Sequence, residues 1–174
     1  MRILLLDDDQ DSRCSAAQFL QDLGHEVVQC ATAQEALEKW GQGDYPLVLA
    51  DIHMPGLSGV EMMRRLKKMT DGWRSDVVLM TGDRQPEMIL EALRAGAYDY
   101  LLKPLAVADL AAIAERVGEH QALRRENLHL SRRFDAAVQE AAGETRQELQ
   151  RLKQKLAQVE GSPPCLVSPA MTFL

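Results

Sequence analysis

Three consecutive aspartates, Asp7, Asp8 and Asp9, follow the apolar run Ile3–Leu6, and Asp11 adds a further acid. Two carboxylates about 4 Å apart repel by roughly 1 kcal/mol in water and roughly 4 in a surface-like dielectric. Such a cluster is either solvated in a loop or compensated by something positive. Other residues able to do chemistry close later apolar runs: Asp51 ends "LVLAD", Thr81 lies in "DVVLMTG" and Lys103 in "YDYLLKP". The acids offer hard oxygen ligands, and no His or Cys stands at a suitable metal spacing. Mg²⁺ suits that set, since it keeps several waters and takes one or two carboxylates together with phosphate oxygens. A cation, an ammonium and a hydroxyl around one carboxylate are what a phosphoryl group transferred to that carboxylate would need.

These residues can act together only if the fold brings the run ends to one place. Arg2–Leu6 reads as a buried strand, and Ser12–Leu23 as a helix with Ala16, Phe19, Leu20 and Leu23 on one face, stopped by Gly24. Glu26–Ala31 is a second strand; Thr32 and Glu35 have capping-box spacing before a helix carrying Ala36, Leu37 and Trp40. Leu47–Asp51 is the third strand, and Ser58 with Glu61 repeats the capping box before a helix with Val60, Met63 and Leu66 inward. Asp76–Gly82 is the fourth strand, followed by a helix from about Pro86 to Ala95 with Gly96 at its stop. Tyr98–Pro104 is the fifth, and a long helix starts shortly after it.

Strands alternating with helices in this way predict a doubly wound α/β domain with a parallel sheet. Such sheets bind ligands beyond the carboxyl ends of their strands, where strand order reverses. Asp7, Asp8, Asp51, Thr81 and Lys103 are all expected at that edge. Asp9 and Asp11 are expected to be solvated or to start the first helix, where negative charge is favoured.

Composition narrows the partners. Residues 1–119 hold 12 Lys/Arg against 20 Asp/Glu, a balance of −8, and residues 120–174 hold 8 against 6, a balance of +2. An acidic body is a poor direct ligand for nucleic acid, whose phosphates need a basic footprint. No apolar run has the length of a membrane span, and no secretory leader pattern opens the chain. Cys14, Cys30 and Cys165 are odd in number and lack metal-type spacing, which suits inert thiols in a reduced, cytoplasmic setting. His25, His120 and His129 read as isolated, exposed side chains without a zinc role, and Met62, Met63, Met80 and Met88 as packing.

The acid pair Asp7–Asp8, "DIHMPGLSG" from Asp51 to Gly59, "LMTGD" around Thr81 and "YLLKPL" around Lys103 together resemble the receiver domain of bacterial two-component response regulators. The resemblance covers residues 1 to about 118 and implies a flavodoxin-like sheet of order 2-1-3-4-5. It further implies that Asp51 is the phosphoacceptor for a sensor histidine kinase. Asp8, with Asp7 beside it, would hold Mg²⁺ together with Asp51 and the backbone carbonyl of His53. Thr81 would hydrogen-bond the phosphoryl group and Lys103 would pair with it. Tyr100 matches the family's switch aromatic, and Pro104 its usual cis peptide. Homodimers would form partly through the face of the fourth helix, fifth strand and fifth helix. The domain would be a signalling module, not an enzyme acting on other substrates.

Beyond the receiver, Leu123, Asn127, Leu130, Phe134, Ala137 and Ala141 fall alternately three and four residues apart. Leu149, Leu152, Leu156 and Val159 resume that spacing after a one-residue slip near Gly143, which would disturb the supercoil or break the helix. Residues 119–160 therefore read as a coiled-coil linker, a parallel dimer with Asn127 at an a-like position setting register. A long helix solvated all round is the alternative. Pro163 and Pro164 would end any helix. Residues 161–174, with "LVSPAMTFL", are similar to the opening of the AAA+ domain of sigma-54-dependent (NtrC-type) activators, as "LRRENLHL" is to their linker. Residues 161–174 are expected to be the flexible start of that AAA+ domain, and the chain the regulatory half of such an activator. A constitutive dimerisation module with a non-switching receiver, and a hydrolase of small phosphate esters, stand as alternatives. The hydrolase lacks a carboxylate two residues after Asp51.

Overall fold

Apolar runs that cannot tolerate water on either side become strands covered on both faces. In the computed structural model, which describes residues 1–84 and 86–161, the elements alternate throughout. They are β1 (Arg2–Leu6), α1 (Gln10–Asp22), β2 (Glu26–Cys30), α2 (Ala33–Gln42), β3 (Leu47–Asp51) and α3 (Gly59–Lys68). A 3₁₀ turn at Gly72–Arg74 precedes β4 (Asp76–Thr81), α4 (Pro86–Arg94), β5 (Asp99–Leu102) and α5 (Val107–Glu160). The strands form one parallel sheet of order β2-β1-β3-β4-β5. The order reverses between β1 and β3, so the carboxyl ends of these two strands flank the crevice.

Successive strand residues point to opposite faces, and both faces are buried. Ile3, Leu5, Leu49 and Met80 pack against Ala16 and Leu20 of α1 and Leu110 and Ile113 of α5. Leu4, Leu6, Ala50 and Leu79 pack on the other side against Trp40, Met62, Met63 and Leu66. The three methionines among these core residues are fully buried, as the packing role requires.

Short polar residues start the helices. Asp9 accepts the Ser12 N–H at 2.7 Å and caps α1, whose first turn includes Asp11. Thr32 and Ser58 accept the N–H groups of Glu35 and Glu61, each at 3.2 Å. Gly24 and Gly96 lie near helix ends with φ of +85° and +102°, where a side chain would be strained. One expected core residue is misplaced: Leu23 caps the C-terminus of α1 and is 41% exposed, while Ala17 takes the buried position.

The chain divides into two compact units, residues 1–124 and 125–174. In the second, α5 continues through Gly143 to Glu160, so of the two outcomes expected there the helix break does not occur. One interior glycine costs about 1 kcal/mol, too little to interrupt so long a helix. The expected start of a further domain at 162–174 lies outside the described residues.

Candidate phosphoryl-accepting site

β1 delivers Asp7 into the crevice, and the Asp7 N–H donates to the Cys30 carbonyl at 3.2 Å. The Asp7 side chain is 1% exposed. Its Oδ1 accepts the Asp9 N–H at 3.0 Å and its Oδ2 the Ser12 hydroxyl at 2.8 Å. Arg13 donates to the Asp7 carbonyl at 2.7 Å. Asp8 is exposed at the mouth of the same cluster. β3 delivers Asp51, whose Oδ1 accepts the His53 N–H at 2.9 Å.

Lys103 joins the two buried acids. Its ammonium donates to Asp51 Oδ2 at 2.6 Å and to Asp7 Oδ2 at 2.7 Å. Burial alone would lower the lysine pKa, but hydrogen bonds and negative charge from Asp51 and Asp7 outweigh it, and the value is raised above the usual 10.5. A raised lysine pKa stabilises the fold fully below the ordinary lysine range and is lost only as pH climbs through the higher folded value. The ammonium is therefore charged across the physiological range.

One ammonium does not balance this site. Carboxylate oxygens of Asp7, Asp8 and Asp51 lie within 4.8 Å of one another. Three acids around a single bonded lysine leave net negative charge, and the donors are all oxygens. That donor set fits a hard divalent cation.

The remaining residues frame the site. Met80 pairs in register with Asp51, and Thr81 is the next residue, 1% exposed. Thr81 Oγ1 accepts the Asp83 N–H at 3.0 Å, and the Thr81 carbonyl accepts the Lys103 N–H at 2.8 Å. The Lys103–Pro104 peptide is cis. Tyr100 lies half-buried on β5, opposite Leu79. Gly59 begins α3 directly beneath Asp51: a Cβ there would come within 2.2 Å of the Asp51 carbonyl oxygen. Next to Lys103 a groove of about 470 Å³ is lined by Ser12, Ser15, Phe19, Pro104 and Leu105, among others.

Sequence reasoning placed Asp7, Asp8, Asp51 and Lys103 at one edge, and the structure brings them together there. It did not find Ser12 and Arg13, whose contacts with Asp7 depend on the entry angle of α1. It also misjudged His120. That imidazole is not isolated: its Nδ1 lies 2.7 Å from Oδ2 of Asp76, and its ring 5.1 Å from that of Tyr98. Asp76 is 4% exposed and also accepts from Gln121 at 2.7 Å, with Arg124 at 3.7 Å. His25 is half-buried with the N-terminal ammonium 3.3 Å away, whereas His129 is exposed as expected.

Comparison with known proteins agrees with this geometry. A family model described as the response regulator receiver domain matches residues 3–115. The C4-dicarboxylate transport transcriptional regulatory protein DctD of Rhizobium meliloti is 34% identical over 135 residues, covering 78% of this chain and 29% of that protein. The sensory/regulatory protein RpfC of Xanthomonas campestris is 36% identical over 112 residues, 63% of this chain and 15% of RpfC. This chain thus spans less than a third of either relative. NtrX from Brucella abortus, solved with ATP, superposes with a TM-score of 0.67 at 35% identity, covering 72% of this chain and 28% of NtrX. The sheet order, the acid–lysine crevice and these likenesses converge: the chain belongs to the response regulator receiver family.

Proposed function

We propose that the chain is a phosphorylation-controlled switch in which Asp51 accepts a phosphoryl group from the phosphohistidine of a sensor kinase. The observation that carries this reading is the Lys103 ammonium bridging the buried carboxylates of Asp7 and Asp51. It sets a positive charge against Asp51 and leaves one face of the acid cluster in need of a cation. Asp7, Asp8, Asp51 and the His53 backbone carbonyl would hold Mg²⁺. When bound, the ion neutralises phosphoryl oxygens and offsets the crowded acids.

In the transfer, an Asp51 carboxylate oxygen forms the new O–P bond as the N–P bond to the kinase imidazole breaks. The departing nitrogen keeps the bonding pair and takes up a proton. Lys103 turns from neutralising Asp51 to pairing with the phosphoryl oxygen. Thr81 turns its hydroxyl proton from the Asp83 carbonyl, 3.5 Å away, to that oxygen, and Tyr100 follows the vacated space inward. The groove beside Lys103 supplies apolar surface for the partner protein next to the acids. The chain acts on no substrate but its own acyl phosphate.

The receiver then biases a pre-existing two-state equilibrium. It alters the face of α4, β5 and α5 and the pairing of α5 beyond Arg124 in a homodimer. DctD, named a transcriptional regulatory protein, supports a role in transcription, and the tail motifs support a sigma-54-dependent activator in the cytoplasm. Nucleic-acid contact is left to other domains. Among the described residues no helix is long and apolar enough to cross a membrane.

The test is labelling by a small phosphodonor such as acetyl phosphate with Mg²⁺. The wild type should gain one acid-labile phosphate and Asp51→Asn none. Undiminished labelling of Asp51→Asn would overturn the assignment.

A further inference from the structure

The proposed homodimer requires a seat on the second unit, and the two halves of that unit are not equivalent. Towards its end the exposed apolar residues are Leu149, Leu152, Leu156 and Val159, at 53%, 53%, 62% and 74% exposure. Spacings of three, four and three put Leu149 and Leu156 at a positions and Leu152 and Val159 at d positions of a heptad. Glu148 and Lys155 then occupy g positions, Lys153 and Glu160 e positions.

In a parallel, in-register pair each g residue faces the partner's e residue five positions further on. Glu148 meets Lys153 of the partner subunit, an attractive contact that occurs twice. An antiparallel pair keeping all the apolar layers stacks Leu149 on Val159 and Leu152 on Leu156, which turns Lys153 towards its own copy. Charge therefore selects the parallel arrangement.

The receiver-proximal half lacks these devices. Leu130 and Phe134, 52% and 70% exposed, stand among Asn127, Ala137 and Ala141. A buried asparagine fixes register while weakening the pair, and alanine buries little area. The corresponding g–e partners are Glu126 with Ser131, Arg133 with Val138, and Glu140 with Thr145. None is an ion pair.

We propose that residues 148–160 are where two copies of this chain join in parallel, and that residues 125–141 form a weaker segment that can open while the join persists. The receivers of one dimer can then exchange arrangements without dissociating. This rests on the homodimer proposed above.

The experiment combines light scattering with amide exchange on the full chain. Leu152→Glu should weaken the dimer by more than about 100-fold and Leu130→Glu by less than about tenfold, since the cost of a core substitution follows the packing lost. Glu148→Lys should weaken it, and adding Lys153→Glu should restore it. Residues 148 and 153 are not neighbours within one helix, so rescue reports contact between helices. Amides from 149 to 159 should exchange at least about tenfold more slowly than those from 127 to 141. A wild type that stays monomeric at all concentrations sinks the dimer reading and this inference with it. A dimer with equal protection in both halves, or no rescue by the double charge exchange, sinks the inference alone.

Discussion

The receiver buries carboxylates at both ends of its sheet, and the two ends settle them differently. At the carboxyl edge, the Asp7 and Asp51 carboxylates share the Lys103 ammonium, with Asp8 close by and no second cation bonded to either carboxylate among the described contacts. At the opposite edge Asp76 stands alone, 4% exposed, and takes two side-chain donors, His120 and Gln121, with Arg124 nearby. Arg124 itself donates to the Trp73 carbonyl, so the cluster ties α5 to β4 and to the turn before it. The first arrangement sets three acids against one bonded cation; the second sets one acid against His120 and Gln121, with the Arg124 guanidinium nearby. Unbalanced charge at a strand end is a demand for a ligand, while balanced charge is an anchor. β4 reaches both edges, with Asp76 at its start and Thr81 at its end.

The sharpest way to break this contrast is to neutralise each acid. Asp51→Asn should abolish phosphoryl labelling while leaving the fold as stable or about 1 kcal/mol more stable, because repulsion with Asp7 and Asp8 is relieved. Asp76→Asn should leave labelling intact but cost about 2 kcal/mol, because charge-assisted bonds become neutral ones inside the protein. Thermal denaturation of the two variants, with labelling run alongside, reads both signs. If Asp51→Asn loses more stability than Asp76→Asn, the division into ligand site and anchor is wrong.

Lys103→Ala tests the same imbalance from the other side. Without the ammonium, two buried carboxylates face each other, and the domain should lose about 2 kcal/mol in the absence of divalent ions. Mg²⁺ should restore more stability to this variant than to the wild type, because the ion takes over the neutralisation. A melting temperature insensitive to Mg²⁺ in both proteins would remove the cation from the account.

Gly59→Ala should cost about 2 kcal/mol and slow labelling, since its Cβ would come within 2.2 Å of the Asp51 carbonyl oxygen. The control is Gly143→Ala, in an exposed stretch of α5 where a Cβ meets nothing, and it should stabilise the helix slightly.

How far the sequence reached follows the same physics. Strands were readable because a parallel sheet covered on both faces shows uninterrupted apolar runs, as in Ile3–Leu6 and Val77–Met80. Caps were readable because Thr32 and Ser58 bond groups three residues away. The acid–lysine crevice was readable because topology places strand ends together whatever the side chains do. It was not readable which acid of Asp7 and Asp8 turns inward, because alternation along a strand says nothing about the loop beyond it. The Asp76–His120 contact joins residues 44 positions apart, and no local pattern carries that information. A break near Gly143 was one of two readings because a slip in apolar spacing resembles an interruption, yet backbone hydrogen bonding continues regardless of which face is apolar.

The smallest expected effect concerns two thiols, one on α1 and one at the end of β2. Cys14 is exposed on α1, while Cys30 ends β2 within the core, and burial there pushes its pKa up from 9.0 to about 11. Nearby Lys39 pulls the other way, but desolvation of the thiolate outweighs it. A raised thiol pKa means the folded protein holds the proton more tightly. The stabilising effect is complete below the ordinary value of 9.0 and is lost as pH rises through about 11. Iodoacetamide at pH 8 should therefore modify Cys14 and leave Cys30 untouched, since the thiolate is the nucleophile and Cys30 is also 1% exposed. Above pH 10 its labelling should rise only as fast as the fold opens. Peptide mapping after timed labelling separates the two sites. Equal labelling at pH 8 would mean that β2, at the edge of the sheet beside the acids, opens far more readily than its packing implies.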